Sequence, residues 1–209
     1  MAEKPALLML SGGIDSTYVA YKTLAEGRPL HIHHIHLINR EGRVEAEKRA
    51  VQRVLAWLRR NGLTNFTYTE NTFDYGSIRF LVKDYWIYSF IAGVILSDPR
   101  NKEIGSMLHP RHSDAFNLRP GQSFEQAAQR ASSALEGLPS LLSRRDIKIE
   151  YPILELDKAG VIDACPGELL KLAWYCRRPI RMGSTYQTCN ECFTCRQVSD
   201  GLARKRRNR

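Results

Sequence analysis

The chain has 209 residues, 43% hydrophobic and 25% charged, which suits one compact domain with a core and a cleft and excludes a disordered chain. No apolar run approaches the ~20 residues needed to cross a bilayer, and Met1-Ala2-Glu3-Lys4-Pro5 lacks the flanks of a signal peptide, so a cytoplasmic location is expected. The formal charge of +9 points to anionic partners, but Arg204, Lys205, Arg206, Arg207 and Arg209 supply five of those charges from the last seven residues, leaving a mildly basic body.

Ala6-Leu7-Leu8-Met9-Leu10 is short, continuous and apolar with glycines after it, as expected of a strand buried on both faces of a parallel sheet. Tyr18, Val19, Tyr21 and Leu24 then fall at spacings that build a helical face, stopped by Gly27, Arg28 and Pro29. A second strand is expected over residues 30–38, where four histidines adjoin apolar residues. Residues 44–61 read as an amphipathic helix with Val51, Val54, Leu55 and Leu58 on one side, ended by Gly62. Phe66-Thr67-Tyr68-Thr69 is the third strand, and residues 85–96 form an apolar helix.

Lys102-Glu103-Ile104-Gly105-Ser106 is expected as the fourth strand with a loop at its carboxyl end, which places Gly105 among the candidate nucleotide contacts. A helix follows from a Ser123 cap to Leu138, and Ile147-Lys148-Ile149-Glu150-Tyr151 alternates as a fifth strand. Strands separated by helices indicate an α/β doubly wound parallel sheet, whose ligands bind outside the carboxyl ends of the strands. That domain spans residues 1–164, followed by a cysteine-bearing segment at 165–200 and the basic tail at 201–209.

Between the first strand and first helix lies Ser11-Gly12-Gly13-Ile14-Asp15-Ser16-Thr17. Gly12 and Gly13 open backbone geometry closed to other residues and let amide N–H groups approach an anion, to which the helix adds its positive end. Ser11, Ser16 and Thr17 supply hydroxyl donors, while Asp15 can hold magnesium or orient the loop. Neither the Walker spacing nor the Rossmann fingerprint occurs here. The loop is read as a cradle for the phosphates of ATP; the alternative is a flexible strand-to-helix turn.

Near the other end, Cys189-Asn190-Glu191-Cys192-Phe193-Thr194-Cys195 contains two overlapping Cys-x-x-Cys steps, with Cys176 upstream. Four thiolates close a tetrahedron around zinc with no open position, which makes a structural site; a redox pair and an iron–sulfur cluster compete with that reading. Cys165 is the weaker ligand candidate and reads better as a half-buried cysteine at a helix end.

A Ser-Gly-Gly-x-Asp-Ser-Thr loop followed by a distal Cys and Cys-x-x-Cys-x-x-Cys resembles the 7-cyano-7-deazaguanine synthases, the QueC family of PP-loop enzymes. The resemblance implies ATP-dependent conversion of 7-carboxy-7-deazaguanine, with ammonia, through an amide to the nitrile, by a homodimer. It carries Ser11, Gly12, Gly13, Asp15, Ser16 and Thr17 over as the ATP loop and Cys176, Cys189, Cys192 and Cys195 as zinc ligands. Asp15 and Ser16 join Lys158 as the catalytic set. Lys158 stands in Pro152-Ile153-Leu154-Glu155-Leu156-Asp157-Lys158-Ala159, similar to the family's Pro-Leu-x-x-x-x-Lys-Ala, where a lysine neutralises phosphate charge; otherwise it is an exposed first-turn lysine.

His36 and Ile38 end the second strand where such folds meet adenine and ribose, although a histidine-rich strand can equally pack and bond internally. The chain departs from the family at Val82-Lys83-Asp84-Tyr85-Trp86 and over Met107-Leu108-His109-Pro110-Arg111-His112-Ser113-Asp114. In the second stretch Arg111, His112 and Asp114 are pocket candidates because they follow a strand's carboxyl end. Three other readings stand beside the first. They are a divergent member, of phage or antiviral type, that stops at the amide or modifies a macromolecule; a PP-loop tRNA-modifying enzyme with the tail as recognition arm; and a non-catalytic zinc-stabilised binding module. For the tail itself the alternative is a solvated end, since no aromatic residues interleave with its charges.

Overall fold

The computed structural model describes residues 3–78, 84–115, 118 and 120–207, without the side chains of Ala131, Ala134 and Glu136. Five parallel strands, β1 (Ala6–Met9), β2 (Leu30–Ile38), β3 (Phe66–Asp74), β4 (Ser106–Leu108) and β5 (Lys148–Glu150), form one sheet in the order β3-β2-β1-β4-β5. β1 is central, and all four of its residues are buried, as its unbroken apolar run requires. Its neighbours pair in register, Ala6 opposite both Leu30 and Ser106. The chain therefore moves from β1 to β2 on one side and later to β4 on the other, which opens a crevice at the carboxyl end of β1.

Alternation along β1 divides the core. Ala6, Leu8 and Leu10 pack on one face with Val19 and Leu24 of α1 (Ile14–Ala25) and Val51, Leu55 and Leu58 of α2 (Val44–Arg60). Leu7 and Met9 pack on the other with Ile91, Ala92 and Leu96 of α3 (Asp84–Ser97) and Leu135 of α4 (Phe124–Ser143). α2 carries Glu45 and Glu47 in its first turn and Arg59 and Arg60 in its last, complementing its dipole. α4 opens on a capping box between Ser123 and Gln126.

Beyond the sheet come α5 (Lys158–Ala164), α6 (Gly167–Leu172), the antiparallel hairpin β6 (Ile180–Met182) and β7 (Thr185–Gln187), and α7 (Phe193–Arg207). Three expectations need correction. The fourth strand starts at Ser106, after a short helical turn over Pro99–Asn101, so Gly105 lies at its amino end, where its N–H bonds Pro5. The third strand runs on to Asp74, because an exposed edge strand tolerates the polar residues that disguised it. The basic tail is no separate unit: α7 runs through residue 201, and Gly201 lies against Ile162 and Ala159 of α5. No helix among the described residues is long and apolar enough to cross a membrane.

A candidate phosphate-binding active site

β1 delivers the chain to Ser11, and the turn that follows is held from both sides. Gly12 adopts φ +79°, and a Cβ there would lie 3.1 Å from the Glu47 carbonyl and from Val51 of α2; only glycine fits that approach and that conformation. The Gly12 carbonyl accepts the Trp174 N–H at 2.8 Å. Ser11 Oγ accepts the Gly13 N–H at 3.2 Å and meets Ser16 Oγ at 3.0 Å.

Gly13 caps α1 without a side-chain bond, and the first helical bond is from the Thr17 N–H to the Gly13 carbonyl. The N–H groups of Ile14, Asp15 and Ser16 therefore precede any helical acceptor and remain suited to an anion. Thr17 is buried with its Oγ1 unpartnered among the described residues.

Lys158, 143 residues away in sequence, reaches this loop: its Nζ lies 2.5 and 2.6 Å from the two carboxylate oxygens of Asp15. It is buried at the first position of α5, whose amino end is set by Asp157 bonding the Gly160 N–H. The exposed-lysine alternative is thereby excluded. Both oxygens of Asp15 lie within hydrogen-bond distance of this ammonium, so the carboxylate fixes the lysine beside the loop.

From the other side of the crevice, the segment after β4 brings His112. Its Nε2 is 3.7 Å from Asp15, and its Nδ1 is 2.7 Å from Asp114. Asp114 also accepts the backbone N–H of Lys158 at 2.8 Å, so one carboxylate positions both the imidazole and the lysine. Burial lowers the His112 pKa, Asp15 opposing the shift, which favours a neutral ring. Arg111 stacks 4.2 Å over the Tyr151 ring and donates to Ser132 Oγ at 3.1 Å.

The remaining candidates fall differently. His36 and Ile38 end β2 at the same edge of the sheet, but His36 turns to Glu70 of β3 at 3.3 Å, and Ile38 is partly exposed. Gly105 sits at the opposite end from the loop, as its strand placement dictates. Of the departing segment before α3, Val82 and Lys83 lie outside the described residues, as does Arg209 of the tail.

Cys176, Cys189, Cys192 and Cys195 bring their sulfurs within 4.8 Å of one another. Backbone N–H groups of Cys189 and Cys192 donate to Cys176 and Cys189 sulfurs at 3.2 and 3.3 Å, the kind of support that thiolate ligands receive. The set fits a closed tetrahedral zinc site. Cys165 stays apart, 2% exposed at the end of α5, its thiol pushed up to about 12 by burial.

Sequence reasoning missed how this segment is fastened. Besides the Trp174 bond, Arg177 meets Glu41 and Asp84, and buried Arg43 binds Glu41, Glu47 and Asp84. Burial pushes Glu47 up to about 7 despite Arg43. This cluster bolts α2, α3 and the cysteine segment together directly behind Gly12; no motif announces it, because its members are scattered through the chain. Two open clefts, of about 500 and 420 Å³, lie elsewhere, beside Arg28 and Glu150 and beside His31 and Arg100.

Residues 1–98 match the family model described as thiamine biosynthesis protein (ThiI). No curated protein matches the chain. Among solved structures, a predicted subunit of tRNA methyltransferase from Methanocaldococcus jannaschii aligns over 96% of this chain and 89% of its own at 12% identity, with a TM-score of 0.39. The matched family is of the PP-loop ATP-pyrophosphatase kind but is not the QueC family. With its parallel sheet, its loop at the crevice and its four-cysteine segment, the chain has the PP-loop, adenine nucleotide alpha hydrolase-like fold.

Proposed function

We propose that the chain is an ATP-dependent adenylating enzyme whose substrate is 7-carboxy-7-deazaguanine and whose nitrogen donor is ammonia. The observation that carries this reading is the burial of Lys158 against Asp15 in a loop already lined by Ser11, Ser16 and free helix amides. Such a site suits an α-phosphate under attack: the substrate carboxylate oxygen bonds to phosphorus as pyrophosphate leaves. Ammonia then bonds to the acyl carbon as AMP leaves, giving the amide; the amide oxygen is adenylated in turn as a second pyrophosphate leaves, and loss of AMP and the nitrogen's protons gives the nitrile. Positioning and electrostatic stabilisation by the loop amides and Lys158 carry most of the acceleration. The four thiolates hold zinc as a structural ion, and a homodimer is the expected assembly.

A second reading has its own observation. Residues 165–209 contain ten Lys or Arg and three Asp or Glu, a net +7 of the total +9. Trp174 docks this segment on the phosphate loop. Arg49 reaches from α2 to the hairpin, over Tyr186. A strongly basic segment docked on the phosphate loop favours an RNA substrate. The deciding experiment measures pyrophosphate release with ATP, magnesium and ammonia, offering 7-carboxy-7-deazaguanine or transfer RNA and weighing the product by mass. Release with the free base alone supports the first reading; release with RNA alone replaces it by the second.

A further inference from the structure

The described chain buries three cationic side chains, Arg43, Arg111 and Lys158. Two are matched: Arg43 by Glu41, Glu47 and Asp84, and Lys158 by Asp15. Arg111, 8% exposed, is not. Among the described residues it has no carboxylate partner; it holds only the Ser132 hydroxyl, through Nη1, and the face of Tyr151. A guanidinium cannot shed its proton, and a ring face with one hydroxyl does not replace the counter-charge that a buried cation demands.

The geometry also says which edge is unused. Nη1 is engaged, and among the described residues Nε is buried without a partner and no hydrogen bond engages Nη2. Nε and Nη2 form the side of the guanidinium that grips a carboxylate through two parallel bonds. The residue stands just beyond the carboxyl end of β4, next in sequence to His112, whose Nε2 faces Asp15 of the phosphate loop. The phosphates already have the loop amides, two serines and Lys158, so the missing anion belongs to the other reactant.

We propose that Arg111 is the anion-recognition residue of the crevice: stacked on Tyr151 and steadied by Ser132, it binds a carboxylate of the substrate through its Nε–Nη2 edge. The identity of that carboxylate as 7-carboxy-7-deazaguanine rests on the adenylation reading; the site for a planar carboxylate does not.

Thermal unfolding of the full chain tests it with four ligands: 7-carboxy-7-deazaguanine, its uncharged carboxamide, acetate and ATP. Wild type should bind the carboxylate base at least about tenfold more tightly than the carboxamide. Arg111→Met should bind both alike, keep its ATP response and, without ligand, unfold at no lower temperature than wild type, since the apolar chain removes an unmatched charge. Arg111→Lys, keeping charge without the fork, should recover only part of the preference.

An Arg111→Met protein that still prefers the carboxylate, or that loses its ATP response instead, overturns the proposal. If the deazapurine fails to bind wild type, the adenylation substrate is wrong, and acetate decides: stabilisation of wild type that Arg111→Met loses sustains the site, and none in wild type refutes it.

Discussion

Replacing Lys158 by Met separates the two things this side chain does. It is 4% exposed and contacts both oxygens of Asp15, whose own side chain is 26% exposed. Removing one partner of a fully buried pair costs about 3–5 kcal/mol, and the partial exposure of Asp15 reduces this to about 1–3 kcal/mol, because water screens the carboxylate left behind. Asp15→Asn with Lys158→Met leaves a neutral pair and should recover most of that stability. Activity should not follow. Losing a cation aimed at the transition state slows pyrophosphate release about a hundred- to a thousandfold, in the double variant as in the single. The assays are urea unfolding and coupled pyrophosphate release on the same preparations. Turnover of Lys158→Met within about threefold of wild type, alongside the loss of stability, would show Lys158 to be only the counter-ion of Asp15.

Three further outcomes are expected. Wild type should carry about one zinc per chain, and Cys192→Ser should release it and, through the Trp174 bond to Gly12, weaken ATP binding as well as loosening residues 165–200; a metal-free, fully stable wild type contradicts this. Deleting residues 204–209 should lower stability by about 1–2 kcal/mol, because Lys205 bonds the last carbonyls of α5, at Ile162, Asp163 and Cys165, and Arg204 meets Asp157; unchanged unfolding would return those residues to a free tail. Burial lowers the pKa of His34 to about 4, its Nδ1 bond to the Leu10 carbonyl offsetting this only in part. A folded pKa below the unfolded value of about 6.5 means that the stability is present above that value and is lost as pH falls through about 4. His34→Asn, which keeps a donor but cannot titrate, should flatten that fall, and denaturation profiles of equal steepness would exclude it.

The parts of this fold that were legible are those where one physical demand dominates. The run from Ala6 to Leu10 had to be doubly buried, and the glycines, hydroxyls and acid behind it agree on an anion. The four cysteines declare themselves because nothing but a metal or oxidation gathers thiols at that spacing. β4 was displaced because three residues, Ser106 to Leu108, are too few for a period, and the preceding Ile104-Gly105 mimicked one. α7 was hidden by its charges, although Cys195, Val198 and Leu202 recur at helical spacing.

Contacts made by tertiary placement left no trace in sequence. Trp174 under Gly12, the Arg43 cluster behind it, and the meeting of His112 with Asp15 join residues from distant segments. Arg111 was a candidate only by position after a strand. That no carboxylate among the described residues meets it becomes visible once its neighbours are known.

In the proposed reaction the loop and Lys158 activate a carboxylate by adenylation. The most direct measurement follows a heavy oxygen isotope placed in the carboxylate of 7-carboxy-7-deazaguanine through one turnover with ATP and ammonia. Transfer of the heavy atom to AMP, with unlabelled pyrophosphate, is the predicted result; unlabelled AMP, or the appearance of ADP and phosphate instead, would contradict it.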